Sequence, residues 1–278
     1  MTKTWLITGS SRGFGRELAL AALEDGDRVV ATARRPEQLQ ELVDKYGEQV
    51  RAVALDVTDA AAARAAVRTA VDEFGRLDVV ANNAGYADSA PIEEMTEDDF
   101  RAQIETDLFG VVNVTRAALP VLRAQRSGLF LQFSSIGGRV GGTPGMGAYQ
   151  TAKFGVEGFS EVLAAEVKPF GVKVTIVEPG AFRTDWGGSS MRRPAVGEDY
   201  EQTVGEIHRF RESTAGTWPG DPARGAKALV DIAKLDEPPL RLLLGSDALA
   251  RAEQSSRSRA EEAQRWAEVS RSTDFPAA

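Results

Sequence analysis

The chain contains no cysteine and a single histidine, His208. The first absence excludes disulfides, thiolate nucleophiles and cysteine-ligated zinc. The second leaves no material for a multi-histidine metal site, and His208, in the polar stretch EQTVGEIHRFRES, reads as a solvated imidazole on a helix. No apolar run reaches the roughly 18 residues that span a bilayer. The strand-like run in MTKTWLITGSS begins too early for a secretory leader, so a cytoplasmic protein without membrane contact is expected. Basic residues are outnumbered, 33 against 41 acidic ones, and the formal charge of -8 opposes a nucleic-acid backbone. With 278 residues, 42% hydrophobic and 27% charged, the chain has enough apolar material for one large globular domain.

Seven short β-branched runs recur along the chain: Thr4 to Thr8, Arg28 to Ala33, Val50 to Leu55, Leu77 to Ala81, Gly128 to Phe133, Val172 to Val177 and Leu240 to Leu244. Helical spacing fills the intervals at Gly13 to Glu24, Pro36 to Tyr46, Asp59 to Phe74, Glu97 to Gln125 and Ala148 to Lys168. Gly26, Gly47, Gly75 and Gly171 fall where helices should stop. Near-continuously apolar strands alternating with helices predict an α/β fold of Rossmann type: a doubly wound, mostly parallel seven-stranded sheet covered on both faces. Residues 1–245 are expected to form that domain, with an irregular substrate loop at 185–222 carrying one helix near Glu198 to Ser213. A polar helical extension at 246–278 follows.

Thr8-Gly9-Ser10-Ser11-Arg12-Gly13-Phe14-Gly15 joins the first strand to the first helix. Glycines there keep the turn tight and admit a phosphate to the helix N-terminus. An acid about 20 residues further on would bind the ribose hydroxyls of NAD. Ala33 stands in that place, followed by Arg34 and Arg35, and Arg12 lies inside the turn. Guanidinium groups without a carboxylate favour a 2′-phosphate, hence NADP(H) over NAD(H). Asp56-Val57 ends the third strand as a possible adenine contact or an ordinary turn, and Asn82-Asn83-Ala84-Gly85 ends the fourth.

Tyr149 and Lys153 are spaced to share one helix face, where an ammonium would lower the phenol pKa. Ser134 and Ser135 end the fifth strand, at the sheet edge where ligands bind in doubly wound folds, and either hydroxyl could hold a carbonyl oxygen. The two long helices, 97–125 and 148–168, carry more apolar residues (Leu108, Val111, Val112, Phe154, Phe159, Val162) than one buried stripe needs, which predicts a homodimer or homotetramer.

TGSSRGFG, NNAG, the Ser134-Ser135 pair before a glycine-rich loop, YQTAK and Pro179-Gly180 follow one another in an order that resembles the short-chain dehydrogenase/reductase family, from Thr4 to Thr184 and more loosely to Leu244. Stretches such as FGVVNVTRAALP are most similar to its hydroxysteroid-dehydrogenase-like subgroup, a grouping that does not imply a steroid substrate. The resemblance implies an NADP(H)-dependent enzyme acting on a small-molecule carbonyl or alcohol. It assigns Tyr149 as proton donor, Lys153 to the nicotinamide ribose and Ser135, or its neighbour Ser134, to the substrate oxygen. It also implies cofactor contacts at Gly9, Ser11, Arg12, Gly13, Phe14, Gly15, Arg34, Asp56, Val57, Asn83, Ala84, Gly85, Tyr149, Lys153, Pro179, Gly180 and Thr184. In the fourth helix the family usually has an asparagine, and this chain has Asp107. The alternative is a regulator that keeps the fold and senses NADP(H) without turnover.

Overall fold

The computed structural model describes residues 2–187 and 191–275. Parts of the expected substrate loop (188–190) and of the C-terminal extension (276–278) lie outside the described residues. The elements run β1 (Thr4–Ile7), α1 (Gly13–Glu24), β2 (Arg28–Ala33), α2 (Gln40–Tyr46), β3 (Val50–Ala54), α3 (Ala60–Phe74), β4 (Val79–Asn82) and β5 (Ala87–Asp88). There follow α4 (Glu97–Ile104), α5 (Gly110–Gln125), β6 (Gly128–Phe133), α6 (Ile136–Arg139), α7 (Gly147–Val167), β7 (Val172–Pro179) and β8 (Met191–Arg192). The chain closes with α8 (Glu206–Thr214), α9 (Pro222–Ile232), β9 (Arg241–Leu244), α10 (Ser246–Arg265) and α11 (Ala267–Arg271).

Seven strands form one sheet in the order β3-β2-β1-β4-β6-β7-β9, with every neighbouring pair parallel. Period-two alternation divides each strand between two cores. Trp5, Ile7, Val29, Ala31, Val79 and Phe133 face α1 and α9, while Leu6, Val30, Val80 and Phe130 face α3, α5 and α7. β1 lies between β2 and β4, so the chain winds outward in opposite directions from this pair and leaves a crevice at their carboxyl ends.

Local chemistry sets the element ends. Asp78 accepts Thr4 N–H at 2.8 Å and Gln125 accepts Leu77 N–H at 3.1 Å, which starts β4 two residues later than the apolar run suggests. Gly75 and Gly171 end their helical segments in the left-handed region at φ 78° and 72°. The helix expected at 97–125 is broken in register: Glu105–Phe109 forms a π-helical segment between α4 and α5. The inserted residue turns Asp107 fully inward, which a uniform 3.6-residue period does not anticipate.

The loop at 185–222 is more ordered than expected. β8 pairs in parallel with β5 in a separate two-stranded sheet, and Glu201–Gly205 forms a second π-helical segment leading into α8. His208 is therefore buried rather than solvated, with Nε2 at 2.9 Å from Ser89 Oγ. Burial, with Arg193 and Arg211 nearby, holds its pKa below the usual value. α10 is docked at its N-terminal end: Ala248 and Ala252 pack against Ile136, and Asp247 accepts Ala181 N–H at 2.8 Å.

Candidate active site

At the crevice, the turn after β1 is shaped by backbone that only glycine adopts readily. Gly9 and Gly13 have φ of 70° and 56°, and a Cβ on Gly15 would stand 2.3 Å from both Gly9 O and Asn83 Nδ2. Arg12 occupies the N-cap of α1 without a side-chain cap, so the first-turn N–H groups face outward unpaired. This cradle fits the pyrophosphate of a dinucleotide. Thr8 Oγ1 accepts the N–H groups of Asn83 and Ala84 at 2.9 Å each, and Asn83 Nδ2 donates to Thr8 O at 2.9 Å. Asn83 thus ties the ends of β1 and β4 together, and a Cβ on Gly85 would stand 3.1 Å from Asp107 Oδ1.

At the end of β2, Ala33 is buried, and Arg34 and Arg35 are exposed beside it. Among the described residues neither these arginines nor Arg12 forms an ion pair, leaving three guanidinium groups available to an anion. Asp56 Oδ1 is engaged by Thr58, through N–H at 3.0 Å and Oγ1–H at 2.8 Å, so this carboxylate is first a turn former. Val57 is buried against Gly110.

β6 and α7 bring the remaining candidates together. Ser134 Oγ turns back toward Lys153 O at 3.5 Å and toward Glu157, although the residue also lines the cleft. Ser135 N-caps α6 by accepting Gly137 N–H at 3.0 Å, and its hydroxyl is the hydrogen-bonding neighbour of the Tyr149 phenol. Of the two serines, Ser135 is the one that faces Tyr149. Lys153 is buried and donates from Nζ to Phe133 O at 2.9 Å, with Nζ at 5.7 Å from the Tyr149 ring centroid. The expected lowering of the phenol pKa is not what this arrangement gives. Burial pushes Tyr149 upward and the Asp107 carboxylate adds to the rise, against smaller downward pulls from Ser135 and Arg211. Burial also pushes Lys153 downward, opposed by Asp107 and Glu157.

Asp107 accepts Tyr86 N–H at 3.1 Å and Gln103 Nε2–H at 3.4 Å. Gln103 also donates to Tyr86 O at 2.6 Å and accepts Asp88 N–H at 3.0 Å, clamping the backbone between β4 and β5. Gln103 was not singled out from the sequence, although it sits one turn before Asp107. The cleft has a volume of ≈ 510 Å³ and is lined on its outer side by Met146, Trp186, Phe210, Arg211, Trp218 and Arg251. Tyr149 and Trp186 rings lie 5.3 Å apart, with Trp218 beyond at 6.4 Å. Phe14 bridges Phe133 and Phe182 at 5.4 and 5.2 Å, and Thr184 stands beside Gly13. Trp218, Arg211 and Arg251 carry no local motif, because only the folding of the 185–222 segment and the docking of α10 bring them here.

Burial raises the Asp107 carboxyl from 3.8 to about 6, against the attraction of Lys153. The folded protein therefore holds this proton more tightly than the unfolded chain. The resulting penalty is absent below the lower of these values and complete above the higher one, where it costs about 3 kcal/mol. Asp107→Asn is expected to stabilise the protein by about 1–3 kcal/mol near pH ~8, with the gain fading as the pH falls to ~4. Urea denaturation at both pH values checks this, and a pH-independent difference would refute it.

Residues 3–194 match the family model described as short chain dehydrogenase. The chain is 51% identical over 271 residues to the oxidoreductase BOA17 of Botryotinia fuckeliana, covering 97% of this chain and 98% of that one. Among solved structures it is similar to a short-chain dehydrogenase from Streptomyces avermitilis, with a TM-score of 0.92, 41% identity and coverage of 99% and 100%. It is also similar to an alcohol dehydrogenase from Thermococcus sibiricus complexed with 5-hydroxy-NADP, with a TM-score of 0.71, 28% identity and coverage of 88% and 96%. The chain therefore belongs to the short chain dehydrogenase family, and it is an oxidoreductase acting on the CH–OH/C=O couple rather than a non-catalytic sensor.

Proposed function

We propose that the protein is an NADP(H)-dependent carbonyl reductase or alcohol dehydrogenase in which Tyr149 handles the proton. The observation that carries the reading is the convergence of Ser135, Tyr149 and Lys153 on one cleft beside the glycine turn. When bound, the nicotinamide supplies or accepts the hydride. Ser135 hydrogen-bonds the substrate oxygen, and Tyr149 Oη delivers the proton to it during reduction. The raised phenol pKa keeps that proton in place at neutral pH, which favours reduction there and alkaline conditions for oxidation. Lys153 holds the nicotinamide ribose, and Asp107 acts as a positioning residue for the β4–β5 backbone and for the charge of Lys153.

Gly9, Ser11, Gly13, Phe14 and Gly15 hold the pyrophosphate end in this reading. Arg12 and Arg34 receive the 2′-phosphate, Asp56 and Val57 meet the adenine, and Asn83, Ala84 and Gly85 lie beneath the nucleotide. Pro179, Gly180 and Thr184 meet the nicotinamide. Preference for NADP(H) is supported by the unpaired arginines and by Ala33 where an acid would repel the phosphate. The proposal keeps residues 1–245 as the catalytic unit, with α10 and α11 appended, in the cytoplasm, where reduced nicotinamide nucleotide is supplied. It includes a homodimer or homotetramer built on α4, α5 and α7. Phe109, Phe154 and Val162 are 45%, 39% and 58% exposed on this face, whereas Val111, expected to contribute, is core.

Tyr149→Phe is expected to reduce turnover of a carbonyl panel by roughly 10²-fold or more while cofactor-fluorescence titration shows unchanged binding. Retained activity would overturn the assignment of the proton. Arg34→Ala should weaken NADPH binding about tenfold and leave NADH unchanged. Equal affinities of the unmodified protein for both cofactors would count against the cofactor assignment. Light scattering at micromolar concentration should give a dimer or tetramer, and a monomer would remove the assembly from the proposal.

A further inference from the structure

Arg211 stands out among the charged groups of the cleft because nothing anionic meets it. It projects from α8, is half-buried, and among the described residues forms no ion pair. Its Nη1 touches two thioethers instead, Met146 Sδ at 3.0 Å and Met191 Sδ at 3.4 Å. Thioethers are weak acceptors, so a guanidinium with five donors is left nearly unsatisfied in an apolar setting. Other arginines of the same segment are matched: Arg192 pairs with Asp88 and Asp99, and Arg209 with Glu201. Burial, and after it the positive charges of Arg193 and Arg251, push the pKa of Arg211 down to about 10 against an opposing pull from Tyr149. Arg251 is exposed on α10 and lines the same cleft.

The position of this charge identifies the kind of molecule that would complete it. Met146 and Met191 are buried in one cluster with Tyr149, and Trp186 packs against that cluster. Arg211 is therefore one side chain away from the phenol, through a cluster to which no residue of the glycine turn and neither arginine after β2 belongs. A dinucleotide seated on the glycine turn has its phosphates at the far end. A neutral ligand filling the aromatic pocket would strip water from the guanidinium and return no partner. A single carboxylate on an apolar body satisfies both parts of the surface, with bidentate hydrogen bonding to Arg211 and the body against Trp186, Trp218 and Phe210.

We infer that the substrate is an oxo acid or hydroxy acid, its carboxylate held by Arg211 and its reacting oxygen, a short spacer away, at Tyr149. This rests on the reductase reading for the reacting oxygen but not for the anion site. Arg251 forms the outer rim of that site, which makes α10 part of substrate selection rather than an appendage.

The test separates binding from turnover. Calorimetry on the NADP⁺-saturated protein compares phenylbutyrate with phenylbutyramide, which match in shape and differ in charge. The acid should bind about tenfold tighter or more, Arg211→Gln should erase the difference, and Arg211→Lys should keep part of it. Equal binding of acid and amide to the unmodified protein, or a difference that survives Arg211→Gln, overturns the inference. If Arg211→Gln does not fold, the comparison in the unmodified protein and its weakening in Arg211→Lys still decide. NADPH oxidation with benzoylpropionate should exceed that with its methyl ester by a similar factor, and an ester reduced as fast as the acid would also overturn it. Selective acid binding without oxidation of NADPH by any ketone would support the anion site and count against the reductase reading.

Discussion

Lys153 places an ammonium where almost no water reaches, and the groups around it are arranged to keep it there. Its hydrogen bond to Phe133 O ties the end of β6 to α7, so the sheet edge and the helix carrying Tyr149 move as one body. One hydrogen bond does not offset the desolvation of a full charge, and the balance comes from carboxylates. Asp107 approaches from the π-helical segment and Glu157 from one turn further along α7. Asp107 is itself kept within reach of ionisation first by the lysine and then by hydrogen bonds from Tyr86 N–H and Gln103, since burial alone pushes its proton affinity upward. The two buried charges are mutually dependent, and the β4–β5 backbone, Gln103 and the phenol inherit their positions and proton affinities from that pair.

The sheet and its switch point were legible because they rest on periodicity, which is local. Strands buried on both faces read as apolar runs, and helix ends read as glycines at left-handed positions. The glycine turn was legible for the same reason: Gly9 and Gly13 answer backbone requirements expressed within a few residues. The π-helical segment at Glu105–Phe109 left no such trace, because Asp107 is held by Tyr86 N–H from 21 residues away, and Gln103, one turn before it, is itself anchored on Tyr86 O and Asp88 N–H. The burial of His208 escapes local pattern on the same account. Its helix is polar in composition, yet the fold lays it on Ser89, a contact separated by more than a hundred positions.

The phenol shows a different limit. Spacing places Tyr149 and Lys153 on one face, and a charge pair considered alone would lower the phenol pKa. In the folded chain desolvation is the larger effect, and the nearest carboxylate acts with it. Sequence supplies the partners but not the burial that decides the sign. The choice between Ser134 and Ser135 was undecidable in the same way: adjacent strand residues point to opposite faces, and only the direction of the β6 end tells which hydroxyl meets the cleft.

Charge along the cleft is distributed against the composition of the chain. The protein carries a formal -8, yet Arg211 and Arg251 line the cleft, and Arg12, Arg34 and Arg35 stand without ion pairs among the described residues at the glycine turn and the end of β2. Between them the Asp107 carboxylate sits beside the Lys153 ammonium, so the centre contributes little net field. Under the proposed reading, such a middle flanked by cationic groups would order a ligand pair with anionic groups at the outside and reacting atoms at the inside. Fields of this kind are focused by low-dielectric walls, and here the walls are Phe14, Phe182, Trp186 and Trp218. The net negative charge of the chain makes the unpaired guanidinium groups at Arg12, Arg34, Arg35 and Arg211 local exceptions to its overall repulsion of anions.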